Sequence, residues 1–149
     1  MTLRHGLEIR AATAADAPDL VALLAGAGQV VDARDLGERL AALRLGAAKA
    51  LLAVQWGPPS GLLVMHWYPD LAMAKPVAQI TMLVVGEEHR RQGIGRMLLK
   101  SAAQSARMAG CGHIEIVTAS EASSLHAFCR ATGFAEAGPR FVRSLRKQA

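Results

Sequence analysis

Two glycines stand one residue apart behind a pair of arginines, where an apolar run gives way to a helical pattern. The stretch is RRQGIGR, residues 90–96, and it follows the apolar run Val77–Val85 after a short polar turn. A helix that begins there leaves the amide hydrogens of its first turn without partners, and its start carries about half a positive charge. Gly93 and Gly95 lack the side chains that would keep an anion away from those amides. With the added charge of three arginines, the segment is predicted to bind a phosphate-like anion.

Two common glycine loops do not fit this spacing. A dinucleotide fingerprint, GxGxxG, requires a glycine where Leu98 stands. A P-loop, GxxxxGK[ST], requires a glycine at Leu99, before Lys100 and Ser101. The remaining alternative is a tight turn between a strand and a helix, with arginines that are simply solvated.

Hydrophobic periodicity predicts the elements that position this loop. In the strand before it, Ile80, Met82 and Val84 alternate with Leu83 and Val85. Apolar residues on both faces are typical of a central strand that is covered on both sides. Apolar residues at helical spacing predict that a helix follows the loop directly.

Further elements are expected on either side. Strands are predicted at residues 7–10, 50–56 and 62–68 and in HIEIVT. Helices are predicted from Thr13 with Asp16, from Asp32 to Leu45, after the loop as far as Gly110, and over 121–132. The turn GPPSG predicts that the second and third strands form an antiparallel hairpin. Gly133-Phe134 is expected to open a final hairpin that ends in RFVRSL.

Length and composition are typical of one compact domain, residues 1–149. Of the 149 residues, 52% are hydrophobic, which is enough to build a core. The net charge of +5 favours an anionic ligand, although most such charge is solvated. Cys111 and Cys129 fit neither a disulfide framework nor a spaced zinc site, so no metal is expected. No secretory leader or membrane-spanning apolar run is seen, so the cytoplasm is the expected location and no membrane partner is expected.

The loop and its surroundings resemble the GCN5-related N-acetyltransferase (GNAT) superfamily. Its acetyl-CoA motif, R/Q-x-x-G-x-G/A after an apolar strand, is matched by RRQGIG at 90–95. A later block of a strand, a helix ending in F-Y, and G-F is matched by HIEIVT, AFC at 127–129 and Gly133-Phe134. The resemblance is strongest over 77–134. It implies an α/β fold, with a mixed, mostly antiparallel sheet of about six to seven strands, about four flanking helices and a splayed acetyl-CoA cleft.

The resemblance also implies how acetyl-CoA would be bound. The backbone of Leu83 and Val85 would pair with the pantetheine arm as an added strand, and the amides of residues 91–96 would hold the pyrophosphate. The cofactor-binding residues implied in this way are Leu83, Val84, Val85, Arg90, Arg91, Gln92, Gly93, Ile94, Gly95 and Arg96.

The base of the expected reaction departs from the family pattern. A primary amine with a pKa near 10.4 is neutral in only about one molecule in 2,500 at pH 7, which costs about 4.6 kcal/mol. The strand glutamate that many relatives use as the base is replaced here by Thr81, whose hydroxyl is no base. His66 and Tyr68 are two apart on one strand, so they share a face and are expected to line the acceptor pocket with Thr81. His66 is the candidate base. Alternatives beside the motif are Glu87, Glu88 and His89.

The proton donor also departs from the pattern. Relatives use the tyrosine of the F-Y pair to protonate the departing thiolate, and Cys129 stands in its place. A cysteine, with a reference pKa near 8.5, can give a proton to that sulfur, so Cys129 is the candidate acid. The alternative is a packed core cysteine, because Leu125, Phe128 and Thr132 lie on the same helix face.

These features predict an N-acetyltransferase that moves the acetyl group of acetyl-CoA to a primary amine of a small molecule by direct attack in a ternary complex. The motif order is similar to that of bacterial aminoalkylphosphonate and aminoglycoside acetyltransferases. A protein or peptide amine is the alternative acceptor, and a non-catalytic acyl-CoA binder or sensor is the alternative function. No nucleic-acid partner is expected, because the basic residues from Arg140 to Lys147 lack aromatic interleaving. Homodimers are common in the family but unmarked in this sequence.

Overall fold

The computed structural model describes residues 2–3, 6–117 and 123–146. Internal packing divides the chain into two compact units, residues 1–119 and 120–149. Within the described ranges, the first unit contains the sheet and three α-helices, and the second contains one further α-helix.

The described strands form one six-stranded sheet, in the order in which they occur along the chain. Neighbouring strands are antiparallel, except that the last two are parallel. The strands are β1 (Thr2–Leu3), β2 (Leu7–Ala11), β3 (Ala48–Val54), β4 (Gly61–Tyr68), β5 (Val77–Val85) and β6 (His113–Ile116). A mixed, mostly antiparallel sheet is what the sequence predicts, and the fold class is confirmed.

The described α-helices are α1 (Ala17–Gly26), α2 (Ala33–Leu45), α3 (Ile94–Met108) and α4 (Ser123–Ala131). Local contacts explain three of their ends. The Thr13 amide donates to the Asp16 carboxylate at 2.8 Å in the turn before α1. The Asp32 carboxylate accepts two amides of the first turn of α2. Gly110, with a φ of 85°, follows the end of α3. These predicted helix starts and this stop are confirmed. None of the described helices is both long enough and apolar enough to span a lipid bilayer.

Apolar clusters cover both faces of the sheet. On one side, here the α3 face, α3 packs on a cluster that meets Ile80, Leu83 and Val85 of β5. On the other side, the α1/α2 face, α1 and α2 pack on a cluster that meets Met82 and Val84. Because β5 contributes to both clusters, its prediction as a doubly covered central strand is confirmed.

A bulge interrupts β5 and changes which residues share a face. Two adjacent residues of β4 pair with Met82 and Ile80, which leaves Thr81 as an extra residue of β5. Ile80 therefore packs on the α3 face while Met82 and Val84 pack on the other. The prediction that these three residues share one face is wrong for Ile80, because one extra residue shifts the alternation.

Gly61 lets α3 lie directly on the sheet. A Cβ at this position would lie 2.9 Å from the Leu98 Cδ1 atom and 3.0 Å from the Ile94 Cγ2 atom. Real Cβ atoms do not approach other carbons so closely at a packed interface. Because Gly61 has no side chain, the first two turns of α3 pack directly on the start of β4. This contact also positions the loop that precedes α3.

The second unit ends without the predicted hairpin. The Thr132 hydroxyl donates to the Phe128 carbonyl at 2.7 Å, and Gly133 follows α4 with a φ of 96°. No strand occurs within the described residues 133–146, where Phe141, Val142 and Leu145 are exposed. The prediction of a hairpin in RFVRSL is wrong there. A strand is stabilised when one of its faces is buried, and the apolar side chains of this segment are exposed instead. The predicted start of the last helix, residues 121–122, lies outside the described residues.

Candidate functional site

An uncovered backbone edge runs along the second half of β5. β6 pairs with β5 only from Val77 to Ile80, and beyond that pairing the Val117 amide donates to the Ile80 carbonyl at 3.0 Å. β5 continues to Val85, and β4 follows its other edge all the way. Among the described residues, 81–85 have no strand partner on the β6 side. The described part of β6 thus pairs with the first half of β5 alone.

The uncovered edge leads to the start of α3 through Gly86 and a 3₁₀ turn, Glu87–His89. The Met97 amide donates to the Gly93 carbonyl at 3.1 Å and closes the first turn of the helix. Within the part of the chain that the structure describes, the amides of residues 91–96 donate to no backbone carbonyl. Consecutive free amides at a helix start form the arrangement that binds phosphate groups.

Two left-handed residues shape this loop. Gly93 is the N-cap of α3 with a φ of 81°. Arg91 has a φ of 64°, the only positive φ of a non-glycine residue in the described ranges. A left-handed conformation costs a non-glycine residue about 1–2 kcal/mol, and residues held in this way cluster at ligand-binding turns. A Cβ at Gly93 would meet no protein atom within 4 Å, so the space before its amide is open.

The loop carries positive charge that no acidic side chain neutralises. Among the described residues, its exposed arginines form no ion pair, whereas Glu88 Oε1 lies 3.6 Å from His89 Nε2. Lys100 is exposed one turn further along α3. The available guanidinium groups are those of Arg90, Arg91 and Arg96. Free amides and free cations therefore coincide at this loop.

Two of the three predicted acceptor-site residues lie on one face of the sheet, and the third lies at the bulge. The residues on either side of His66 pack on the α3 face, so His66 and Tyr68 point to the α1/α2 face. His66 pairs with Gln79 of β5. Thr81 is the extra residue of the bulge, lies between Ile80 and Met82, which face opposite sides of the sheet, and is exposed. His66 and Tyr68 lie on β4, one strand away from the end of the β5–β6 pairing.

A family model described as "Acetyltransferase (GNAT) family" matches residues 27–134, from the end of α1 to the residue after Gly133. The chain belongs to the GNAT acetyltransferase family. The matched range contains the cleft, the glycine loop and the polar sheet face.

Individual relatives differ in the acceptors that their names give. N-acetyltransferase family 8 member 3 of Rattus norvegicus is 31% identical over 85 residues, 57% of this chain and 37% of the relative. This GNAT chain thus spans little more than a third of that relative's length. The aminoglycoside acetyltransferase meta-AAC0020, from an uncultured soil metagenomic sample and solved with sisomicin, is 21% identical with a TM-score of 0.76 over 94% of this chain and 97% of its own. The ribosomal-protein-alanine N-acetyltransferase of Brucella melitensis biovar Abortus 2308 is 19% identical with a TM-score of 0.79 over 95% and 100%. These two structures show the shared fold, and not a shared acceptor.

Cys129, which stands where many GNAT proteins have tyrosine, lies on α4 in the second unit. Its side chain is buried, and burial raises the pKa of its thiol above the ordinary value. The Phe134 amide donates to its carbonyl at 2.9 Å. A thiol with a raised pKa stays protonated at neutral pH, and it is both a weaker acid and a poorer nucleophile than an ordinary cysteine.

Glu115 and Gln79 are two further polar residues on the α1/α2 face, and the sequence did not predict either of them. In β6, Glu115 stands between two isoleucines that pack on the α3 face, so it points to the α1/α2 face. The parallel register places it beside Gln79, which in turn pairs with His66. Alternation within HIEI could have revealed its face. Its neighbours could not be read from the sequence, because the register joins strands that are far apart in the chain.

The remaining described surface has few other candidate sites. One shallow depression lies between α3 and the start of β6, and another lies between α2 and β3. Among the described residues, no group of three or more histidine, cysteine, aspartate or glutamate side chains is placed to hold a metal ion.

Proposed function

We propose that this protein is an N-acetyltransferase that moves the acetyl group of acetyl-CoA to a primary amine of a small molecule by direct attack in a ternary complex. The proposal depends on one observation, the continuity of the uncovered β5 edge with the free amides at the start of α3. A free strand edge pairs with an extended chain that carries amides, and a helix start binds phosphate. Coenzyme A joins an amide-containing pantetheine arm to a pyrophosphate, in that order.

The residues at the cleft fit this molecule. The backbone of Leu83 and Val85, with Val84 between them, would pair with the amides of the pantetheine arm. The loop amides would hold the pyrophosphate, and the exposed arginines would balance its charge. The loop residues with this role are Arg90, Arg91, Gln92, Gly93, Ile94, Gly95 and Arg96.

Bound acetyl-CoA supplies a thioester carbonyl carbon for the amine to attack. The protein holds the two reactants in place. The β5 edge and the loop would fix acetyl-CoA, and the polar face would hold the amine beside the end of the β5–β6 pairing. Fixing two reactants in contact can supply about 7–11 kcal/mol of the barrier. The amide of Val85 is the donor that would polarise the thioester carbonyl.

The polar sheet face supports a small amine as the acceptor. His66 and Tyr68 offer hydrogen-bonding groups on one face of β4, and Thr81 adds an exposed hydroxyl at the bulge of β5. A peptide amine is the alternative, since solved structures of this fold include both an aminoglycoside and a ribosomal-protein-alanine acetyltransferase.

A thiol-release assay tests the proposed activity. Purified protein with acetyl-CoA is offered amino acids, polyamines, aminophosphonates, aminoglycosides and short peptides, and products are checked by mass spectrometry. We expect saturable release of coenzyme A with at least one small amine and weaker release with peptides. Turnover with peptides alone would replace the small-molecule acceptor by a protein one.

A second function, non-catalytic acyl-CoA binding, is favoured by Thr81 and Cys129 at positions where relatives carry catalytic groups. It predicts saturable acetyl-CoA binding by calorimetry without thiol release for any amine of the panel. Failure to bind acetyl-CoA at all would remove both functions.

We also propose that the two units belong to one catalytic domain and that the protein works in the cytoplasm without nucleic acid or a membrane surface. Light scattering coupled to size exclusion distinguishes a monomer from a homodimer. Fractionation of cells that express the tagged protein tests its location.

A further inference from the structure

A carboxylate lies beside the point where the cleft begins. Glu115 precedes Ile116, the last residue of β6 that pairs with β5. Its side chain is half-buried and points to the α1/α2 face, next to Gln79. The row through Glu115 consists of His66, Gln79 and Glu115, and all three side chains are half-buried.

Tyr68 holds this carboxylate in place. Its hydroxyl donates to Glu115 Oε1 in a long hydrogen bond of 3.5 Å. Partial burial, with the charges of Glu115 and Asp70, raises the pKa of Tyr68, so its phenol stays protonated and acts as a donor. In the described ranges, Tyr68 is the one side chain that bonds Glu115, which leaves Oε2 available to a ligand.

The other polar groups near the cleft fit a proton acceptor less well. Thr81 and Gln79 have no basic group at neutral pH. His66 lies on β4, so the width of β5 separates it from the cleft, and it is roughly 10 Å from β6 at about 4.8 Å per strand. Among the described residues, Tyr68 is the titratable group in contact with Glu115, and the charge of Asp70 acts on Tyr68.

We propose that Glu115, positioned by Tyr68, binds the ammonium form of the acceptor and accepts its proton, so that the enzyme selects cationic amines. This inference rests on the proposed function. One proton passes from the ammonium nitrogen to a Glu115 oxygen. The freed nitrogen lone pair then forms the C–N bond, the C–S bond breaks, the nitrogen loses a second proton, and the coenzyme A sulfur gains one. Glu115 returns its proton to water.

The decisive variant is Glu115→Gln, which keeps the shape of the side chain and removes its charge. A positioned base contributes about 10²–10⁴-fold to the rate, so kcat/KM for the best amine should fall by about that factor at pH 7. Glu115→Asp should recover part of the loss. Glu8→Gln is the matched control, because Glu8 is an exposed carboxylate on a strand at the far side of the sheet and should leave kcat/KM unchanged. The affinity for coenzyme A, measured by calorimetry, should stay within about twofold in all three variants.

The pH profile separates a proton acceptor from a merely structural residue. In the wild type, kcat/KM should rise through an acidic limb and then level. In Glu115→Gln, it should keep rising toward the pKa of the free amine, near 10.4. Tyr68→Phe should cause a smaller loss of kcat/KM, because the carboxylate keeps its charge and loses the hydroxyl that lies next to it.

A wild-type measurement tests the cation preference even if a variant fails to fold. A quaternary ammonium analogue of the best acceptor should inhibit at least about tenfold more strongly than its neutral hydroxyl analogue. Equal inhibition would overturn the proposed selectivity.

Two outcomes distinguish this inference from the proposed function. If the wild type acetylates an amine but Glu115→Gln stays within about threefold with the same pH profile, Glu115 is not the base and the enzyme assignment stands. If His66→Gln takes the loss instead, His66 is the base and the inference is wrong. If the wild type binds coenzyme A but acetylates nothing, both proposals fall.

Discussion

Replacing Gly93 by alanine tests the loop in one step, because the structure separates the effect on folding from the effect on binding. At a φ of 81°, alanine costs about 1–2 kcal/mol, and the stiffer unfolded chain returns about 0.4–1 kcal/mol. No protein atom lies within 4 Å of the new Cβ, so no steric clash adds to this cost. We therefore expect a net loss of stability of about 1 kcal/mol, which lowers the Tm by about 2–4 °C for a chain of this size.

The effect on coenzyme A should be larger. The new methyl group stands before the free amides, and a lost hydrogen bond to a charged group is worth about 1.5–3 kcal/mol. Calorimetry at a temperature well below the Tm should therefore show a Kd for coenzyme A that rises by about tenfold to a hundredfold.

The other end of the same helix provides the matched control. Gly110 has a φ of 85° and an equally open Cβ position, so Gly110→Ala carries the same backbone cost away from the loop. It should lower the Tm to a similar extent and leave the Kd within about twofold. Equal Kd values for both variants would refute the assignment of the loop amides to the pyrophosphate.

Three further changes probe the scaffold and the candidate acid. Gly61→Ala should lower the free energy of unfolding in urea by about 1–3 kcal/mol, because the new Cβ would lie 2.9 Å from a leucine methyl group of α3, whereas Gly46→Ala meets no atom within 4 Å and should cost less. The Arg10 guanidinium, bonded to Asp16 at 2.8 Å, lowers the pKa of that carboxyl to about 2. This ion pair contributes on the order of 1–2 kcal/mol to stability after screening at the half-exposed arginine. The contribution is present above about pH 4 and is lost as the pH falls from about 4 to 2. Asp16→Asn should abolish this part of the pH dependence in thermal melts. Cys129→Ala should reduce kcat by about tenfold or more while Cys129→Ser retains more activity, since a serine keeps a hydroxyl donor; unchanged turnover in both would remove Cys129 as the acid.

Several elements follow from residues that are close together in the sequence. The helix start at Asp32, the stop at Gly110 and the glycine loop before α3 depend on contacts within a few residues. The hairpin of β3 and β4 also follows from its own turn. By contrast, RFVRSL carries a strand-like pattern but forms no strand in the described residues, because a strand needs a partner and a covered face that lie elsewhere in the chain.

The candidate site shows the same division. By itself, the sequence determined the conformation and charge of the glycine loop, since the freedom of a glycine backbone, the unpaired amides of a helix start and the charge of its arginines are local properties. Tertiary structure decided the remainder. The bulge at Thr81, the pairing of β6 with the first half of β5 and the approach of Tyr68 to Glu115 depend on register between strands that are distant in the sequence. Packing against the helices on both faces sets that register, and no short segment encodes it.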